Sequence, residues 1–383
     1  MKCAALTAAA LLTVASSAAT GQTPRALRLQ EELRIGSIDR ENYDFSFISG
    51  IAVADDGRMF VGQPLEHTVR VYSPAGSFLR RIGREGGGPG EMRGVDGVGW
   101  VGNALYVLDW RLGRLTQFNT MGRAVKIWSA VQHDWGDAFS PMPPSMRMMN
   151  GSLITTPNYY TPPGKSITSL PLSLVDPEGK YVKDIAQLSV GTQVKVVKSS
   201  SGWTSPIPLP DATSTLSAVL PVQSSVILVD RKAPGTSGRT SYTIRRIAAD
   251  GSTAYSRTYT LPPVNISRSA VEREIDSAVA RSVRARPVPE KDVRDLYNLA
   301  WSDVTHQSPV DQIAVGADGS VWLRAGAFGE PKATWYAHAP DGTLLGYTTL
   351  PGSAKVHHVT ATRVWVSERG EYDEEYVVRY RIR

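Results

Sequence analysis

From about Ser46 onward the chain repeats one unit, two short runs of β-branched and aromatic residues around a tight turn, and this recurrence constrains the fold more than any other feature. The clearest copy reads Ile51-Ala-Val-Ala-Asp-Asp-Gly-Arg-Met-Phe-Val61, then Thr68 to Tyr72, then the turn Ala75-Gly76, then Ser77 to Ile82. Four short strands joined by tight turns make one blade of a β-propeller, an architecture in which similar sheets are set radially around a central channel.

Counting by the turn between the first two strands gives six units, with turns at Asp56-Gly57, Gly102-Asn103, Asn150-Gly151, Gln223-Ser224, Asp318-Gly319 and Ala361-Thr362. A second hairpin recurs with turns at Ala75-Gly76, Met121-Gly122, Glu178-Gly179, Asp250-Gly251 and Asp341-Gly342. Asp-Gly and Asn-Gly pairs suit these positions because they tolerate the positive φ of tight hairpins. The sixth unit, near Val356 to Val359, Val364 to Ser367 and Tyr376 to Ile382, lacks an outer strand. The strand-like segment Leu27 to Ile35 can supply it, which would pair two edges that are otherwise exposed. The expectation is an all-β chain, a six-bladed β-propeller with a small helical insertion between blades four and five and ring closure by an N-terminal strand.

The N-terminus has the three-part character of an export signal: Lys2, an apolar run from Ala4 to Ala15, then small residues through Ala19 and Gly21. The run is too short to span a membrane. The expected organisation is a cleaved signal over 1–21 and a single propeller over 22–383, periplasmic or extracellular. Cleavage removes Cys3, the only cysteine, so neither a disulfide nor a thiolate metal site is available to the mature chain. With apolar residues at 42% of the chain, packing alone can hold one large β domain. The formal charge of +6 comes from arginines scattered without a basic block, which argues against a nucleic-acid partner. Anionic glycans stay open.

In a propeller the turns between strands one and two and between three and four lie on one face, and all other connections lie on the opposite face. The tight turns above belong to the first. The irregular segments, Gly83 to Gly94, Thr156 to Ser169, Arg231 to Thr240, Arg324 to Lys332, Gly370 to Glu375 and Pro262 to Ser308, belong to the second, where binding sites gather on such scaffolds. The last of these reads as helical over about 265–300. Ser269 and Glu272 have capping-box spacing, and Val271, Ile275, Val279 and Val283 recur every four residues. After Pro287 and Pro289, Val293, Leu296, Tyr297 and Ala300 form a second amphipathic stretch.

The segment Ile82-Gly-Arg-Glu-Gly-Gly-Gly-Pro-Gly-Glu-Met92, followed by Leu105 to Asp109 and Arg114 to Phe118, resembles a family of exported bacterial six-bladed β-propeller proteins related to the NHL-repeat propellers. There a Gly-x-Gly-Pro-Gly-Glu loop joins the first two blades. A helical insertion precedes a blade opening with Asp-x-x-Gly-x-x-Trp, to which Asp318-Gly-Ser-Val-Trp322 is similar. The resemblance implies the fold and carries no established activity with it.

The glycine-rich loop could present N–H groups to an anion, but it lacks the Gly-Lys-Ser/Thr ending of a phosphate-binding loop and reads as an inter-blade crossing pinned by Glu91. Asp109 and Arg114 stand at a spacing where carboxylate and guanidinium fold back on one another or on backbone groups. His357 and His358 lie on the innermost strand of the last blade, where either could meet a ligand such as Asp109, Glu91 or the acidic cluster Glu371, Asp373, Glu374 and Glu375. Neither a zinc-binding His-Glu-x-x-His helix nor a Gly-x-Ser-x-Gly elbow is present. The reading is a binding module with no cofactor, taking an unidentified protein, small molecule or glycan on its loop-rich face. Candidate contacts are Arg84, Glu91, Trp110, Arg111, Arg114 and His357, with Trp110 and Arg111 first because aromatic-plus-arginine surfaces make binding hot spots. The alternative is a metal-dependent hydrolase or lyase with one Ca or Zn ion at the channel mouth, where it would polarise a carbonyl or activate water.

Overall fold

The computed structural model describes residues 25–159, 167–191, 194–234, 238–285, 289–325, 328–371 and 374–383, without the side chains of 194, 281 and 283–285. The expected signal segment, Cys3, Asp373 and the side chain of Val283 thus lie outside the described residues.

Six antiparallel four-stranded sheets follow one another along the chain. Blade 1 comprises Ile51–Val53, Met59–Gln63, Thr68–Tyr72 and Phe78–Ile82; blade 2 comprises Gly97–Val101, Ala104–Asp109, Arg114–Phe118 and Ala124–Ser129. Blade 3 comprises Met146–Arg147, Leu153–Thr155, Ser169–Val175 and Tyr181–Ser189; blade 4 comprises Leu216–Leu220, Ser225–Lys232, Thr240–Ala248 and Thr253–Leu261. Blade 5 comprises Val310–Val315, Val321–Ala325, Lys332–His338 and Leu344–Pro351, and blade 6 Lys355–Val359, Arg363–Arg369 and Glu375–Ile382. The outer strand of blade 6 is Leu29–Ile35, antiparallel to Glu375–Ile382. Both termini therefore build one blade, which closes the ring.

The middle strands explain why the chain folds this way. Met59–Gln63 and Thr68–Tyr72 are buried along their whole length, so they read as near-continuous apolar runs, whereas the outer strand Thr253–Leu261 alternates exposed and half-buried residues. Each blade packs both faces on its neighbours. One apolar cluster fills each seam: Phe60, Val71 and Leu105 between blades 1 and 2, Tyr106, Trp128 and Leu153 between 2 and 3, and Ile154, Leu172 and Leu228 between 3 and 4. Val229, Ile244 and Leu323 fill the next seam, Trp335, Leu350 and Val366 the fifth, and Ile51, Tyr72 and Trp365 the last.

The tight-turn face is built from one repeated device. In Ala54 to Arg58 the Gly57 N–H donates to the Ala54 carbonyl at 2.8 Å and the Ala54 N–H to the Arg58 carbonyl at 2.9 Å. The same pair of bonds recurs in the turns holding Gly151, Gly319, Gly76, Gly122, Gly179, Gly251 and Gly342. Gly57 has φ 83° and Gly342 φ 82°, the left-handed conformation that a side chain resists.

Of the three elements that follow, the first two lay outside the sequence reading, whereas the helical segment was expected from it. Arg25–Ala26 adds a parallel fifth strand to blade 5 against Gly346 and Tyr347, and a Cβ on Gly346 would come within 2.2 Å of the Arg25 carbonyl oxygen. A hairpin, Val194–Lys198 with Thr204–Pro208, interrupts the connection from blade 3 to blade 4. The helical segment consists of α1, Arg268–Ala285, and α2, Glu290–Trp301. Ser267 caps α1 by accepting from the Ala270 N–H at 3.1 Å, two residues ahead of the expected Ser269. Glu272 instead pairs with Arg268 at 3.3 Å.

His338 ends the third strand of blade 5 and is fully buried. Its Nδ1 donates to the Val321 carbonyl at 3.2 Å, and its Nε2 accepts from the Tyr242 hydroxyl at 3.1 Å, a pattern that suits the neutral ring. Burial pushes its pKa down to about 4. An unfolded histidine takes up a proton near pH 6.5, so between those values the unfolded state binds more protons and stability falls as pH drops. Urea unfolding at pH 7 and pH 5 is expected to show wild type losing about 2 kcal/mol more than His338→Gln over that interval. Equal losses in the two proteins would show that His338 does not carry this pH dependence.

Candidate functional site

The loop-rich face carries three kinds of structure: a polar corner at blades 1 and 2, the start of blade 6, and a roofed cleft between blades 4 and 5. At the corner the glycine-rich loop crosses from one blade to the next. Glu91 accepts from the Gly88 N–H at 2.7 Å and from Arg84 at 2.8 Å; the N–H bond first and the guanidinium second hold its carboxyl below the usual range. A Cβ on Gly86 would lie 2.2 Å from a Glu91 carboxylate oxygen, so glycine there makes room for the acid.

Arg114 is buried and donates to the carbonyls of Gly87, Gly88 and Glu91 at 3.1, 2.9 and 2.6 Å. Asp109, also buried, accepts from the N–H groups of Arg93 at 2.8 Å and Leu112 at 3.0 Å. The two side chains thus fold back on backbone groups instead of on each other. Trp110 is 60% exposed, its N–H bound to Asp96 at 2.7 Å, and Arg111 beside it is exposed. Arg84, Glu91, Arg114, Trp110 and Arg111 therefore share one corner, but three of them form its internal bracing.

His357 stands apart on blade 6, at a bulge between Val356 and His358 in the strand pairing. Its Nε2 lies 2.8 Å from the Ser367 hydroxyl; burial first, then Lys355, lowers its pKa to about 3. His358 packs edge-on against Trp365 at 5.1 Å. The two rings do not converge on one point.

The third region has no counterpart among the sequence candidates. Its roof is the helical pair packed on the blade 3–4 hairpin: Ile207 joins Ile275, Val279, Val293, Leu296 and Trp301 in one apolar cluster. The Trp301 indole N–H donates to the Pro208 carbonyl at 2.8 Å, and its ring meets Phe328 edge-on at 4.9 Å. Lys195 to Asp303 and Ser200 to Asp295, each 3.1 Å, tie hairpin to helix. Beneath the roof lies a cleft of about 610 Å³ bordered by Pro208, Phe328, Glu274, Arg231, Asp311 and Arg324, among others.

The cleft's charged groups are held in place. Arg324 binds Asp311 through two bonds of 2.7 Å and the Gly352 carbonyl at 3.0 Å. Arg231 donates to Ser214 and Ser308 and to the Val310 carbonyl, which joins the entries to blades 4 and 5. Sequence reading marked Arg231 and Arg324 only as the first residues of loops, because their partners lie 13 to 79 positions away. The one local hint was the recurrence of an arginine at the end of a second strand.

The bracing at the corner is testable. Arg114→Met leaves three carbonyls without their donor and is expected to cost about 2 kcal/mol or more in urea unfolding, whereas an Arg114 that only contacts ligand would leave stability within about 0.5 kcal/mol of wild type.

No protein-family model matches this chain, and no curated protein matches it. Among solved structures it is similar to a DUF4221-family member from Bacteroides vulgatus, at 11% identity and a TM-score of 0.50, covering 94% of this chain and 98% of that one. It is likewise similar to a protein of Bacteroides fragilis described as exported, at 10% identity and a TM-score of 0.50, covering 93% of this chain and 95% of that one. A gluconolactonase of Xanthomonas campestris is more distant, at 12% identity and a TM-score of 0.45, covering 94% and 99%. At such identities the likeness speaks for the fold alone, and it is the six-bladed propeller.

Proposed function

We propose that this is an exported propeller that binds a ligand on its loop-rich face without carrying out a reaction, and that the binding centre is the roofed cleft between blades 4 and 5. The observation that carries this reading is the cleft itself. At about 610 Å³ it has the size of a small-molecule site, and its wall mixes apolar residues such as Leu216 and Phe328 with fixed polar groups such as Arg231 and Ser308. The helices and hairpin above it are braced to each other, so the site needs little ordering when a ligand arrives. The blade 2 corner, with exposed Trp110 and Arg111, is the second surface this reading allows, and it suits a protein partner. Export rests on the N-terminal pattern; among the described residues no helix is long and apolar enough to cross a membrane.

The enzyme reading needs metal ligands that converge. Among the described residues no group of three or more His, Cys, Asp or Glu side chains is placed so that it could hold a metal ion. Glu91 and Asp109 already accept backbone N–H bonds, and His357 is engaged by Ser367.

A Ser217→Trp substitution places an indole in the cleft wall. In a thermal-shift screen of small polar metabolites, compounds that stabilise wild type are expected to lose their effect on this variant and keep it on the Trp110→Ala, Arg111→Ala double variant. The opposite pattern would move the site to the blade 2 corner. Elemental mass spectrometry on mature protein purified without chelator is expected to find no stoichiometric calcium or zinc; about one tightly held ion per chain would revive the enzyme reading.

A further inference from the structure

The two guanidinium groups of the cleft differ in what balances them. That of Arg324 is neutralised by Asp311. That of Arg231 is 7% exposed and meets only neutral acceptors: the Ser214 carbonyl and hydroxyl, both at 2.7 Å, the Ser308 hydroxyl at 3.2 Å and the Val310 carbonyl at 3.1 Å. The nearby acids are engaged elsewhere. Asp311 serves Arg324, and Asp230 takes Arg245 at 2.7 Å and the Thr215 hydroxyl at 2.8 Å. Among the described residues no carboxylate forms an ion pair with Arg231, neither Glu274 on the roof nor Asp211.

Four bonds occupy four of the five N–H donors of a guanidinium, leaving one on Nη2. Removing such a cation from water without an opposite charge costs several kcal/mol, which neutral acceptors offset only in part. Burial pulls the pKa of Arg231 down to about 10 against the opposing attraction of the Asp311 charge, still well above neutral pH, so the charge persists at the cleft wall. Arg114 provides the contrast. It also binds only carbonyls, but the glycine-rich loop lies over it, whereas Arg231 borders open space.

Resting on the cleft reading above, we propose that the cleft is a receptor for the anionic group of a small molecule, a carboxylate or a tetrahedral oxyanion, which docks on Arg231 and supplies the contacting counter-charge that Asp311, held by Arg324, does not. Glu274 borders the same cleft from α1, and its negative charge disfavours an anion at the roof.

The test titrates mature protein with acetate, succinate, citrate, sulfate and inorganic phosphate at constant ionic strength, with acetamide and succinamide as neutral counterparts, read by calorimetry and thermal shift. At least one anion is expected to bind wild type saturably while neither amide does. That anion is expected to bind Arg231→Gln about tenfold or more weakly, Arg231→Lys with an intermediate loss because the charge remains, and Ser217→Trp not at all. Whether carboxylates or the tetrahedral anions respond identifies the chemistry. Circular dichroism establishes that each variant is folded, and if Arg231→Gln is not, the lysine variant carries the comparison. The inference is overturned if no anion binds, if amides bind as well as acids, or if both Arg231 variants bind as wild type does. Binding that tolerates amides but is lost in Ser217→Trp would remove the anion and leave the cleft; anion binding that survives in Ser217→Trp would remove both.

Discussion

The seam that closes the ring carries the rest of the structure. A blade buries its two faces only if a neighbour stands on each side, so six sheets share six apolar seams when the circle is complete and lose one when it is not. Closure depends on Leu29–Ile35 pairing with Glu375–Ile382. That pairing brings Ile35 into the seam between blades 6 and 1, and Leu29 against the seam between 5 and 6. It is fastened at the surface by Glu32, which lies within 2.8 Å of Arg363, 3.3 Å of Arg379 and 2.5 Å of Arg381. Hydrogen bonding by Arg363 first, followed by Arg381, holds its carboxyl at about 2, so the charge cluster persists across ordinary pH.

A rigid ring leaves its two faces free to differ. On one, a single five-residue turn recurs, fixed by backbone bonds and a glycine of positive φ. On the other, loops of unequal length are held by buried side chains that reach across sequence. Arg114 ties down the glycine-rich loop, Arg231 joins the entries to two blades, and Arg70 takes Asp44 and Glu66. Each guanidinium provides several donors to backbone or side-chain acceptors that strand pairing leaves open. The same device that makes a loop rigid leaves a positive charge near the surface, and in the cleft it does so without a carboxylate in contact.

How much of this was legible in the sequence follows from the range of the interactions involved. Turns are local: Asp56-Gly57, Asp341-Gly342 and their relatives announce themselves within five residues, and strand boundaries follow from them. The closing strand was legible because blade 6 lacked an edge and Leu27 to Ile35 had the right pattern. The bracing of the glycine-rich loop was half legible. Glu91 was placed correctly on its own loop, and of the two outcomes left open for Asp109 and Arg114 the structure takes the backbone one, with partners that no spacing rule picks out. The cleft was not legible, because Arg231, Ser214 and Ser308 come together only when blades 4 and 5 stand side by side. The blade 3–4 hairpin escaped for another reason. Its strands, Val194–Lys198 and Thr204–Pro208, contain two lysines, a serine and two prolines, and its apolar residues gain meaning only against the helices.

The closing strand also bears on how the chain reaches its native state. Arg381 and Glu32, which meet in that blade, are 349 positions apart. Bringing together the ends of a loop that long costs about 5 kcal/mol in chain entropy, incurred before the last seams can form. Blades 1 to 5 are made of neighbouring hairpins and can assemble locally, whereas the ring waits for its final strand and sets the slow, non-local step of folding. Until then two sheet edges and two apolar blade faces stand open. A chain arranged this way stays incompletely folded until its last strand is available, so its two terminal strands must both be present before every blade around the circle is buried on both faces.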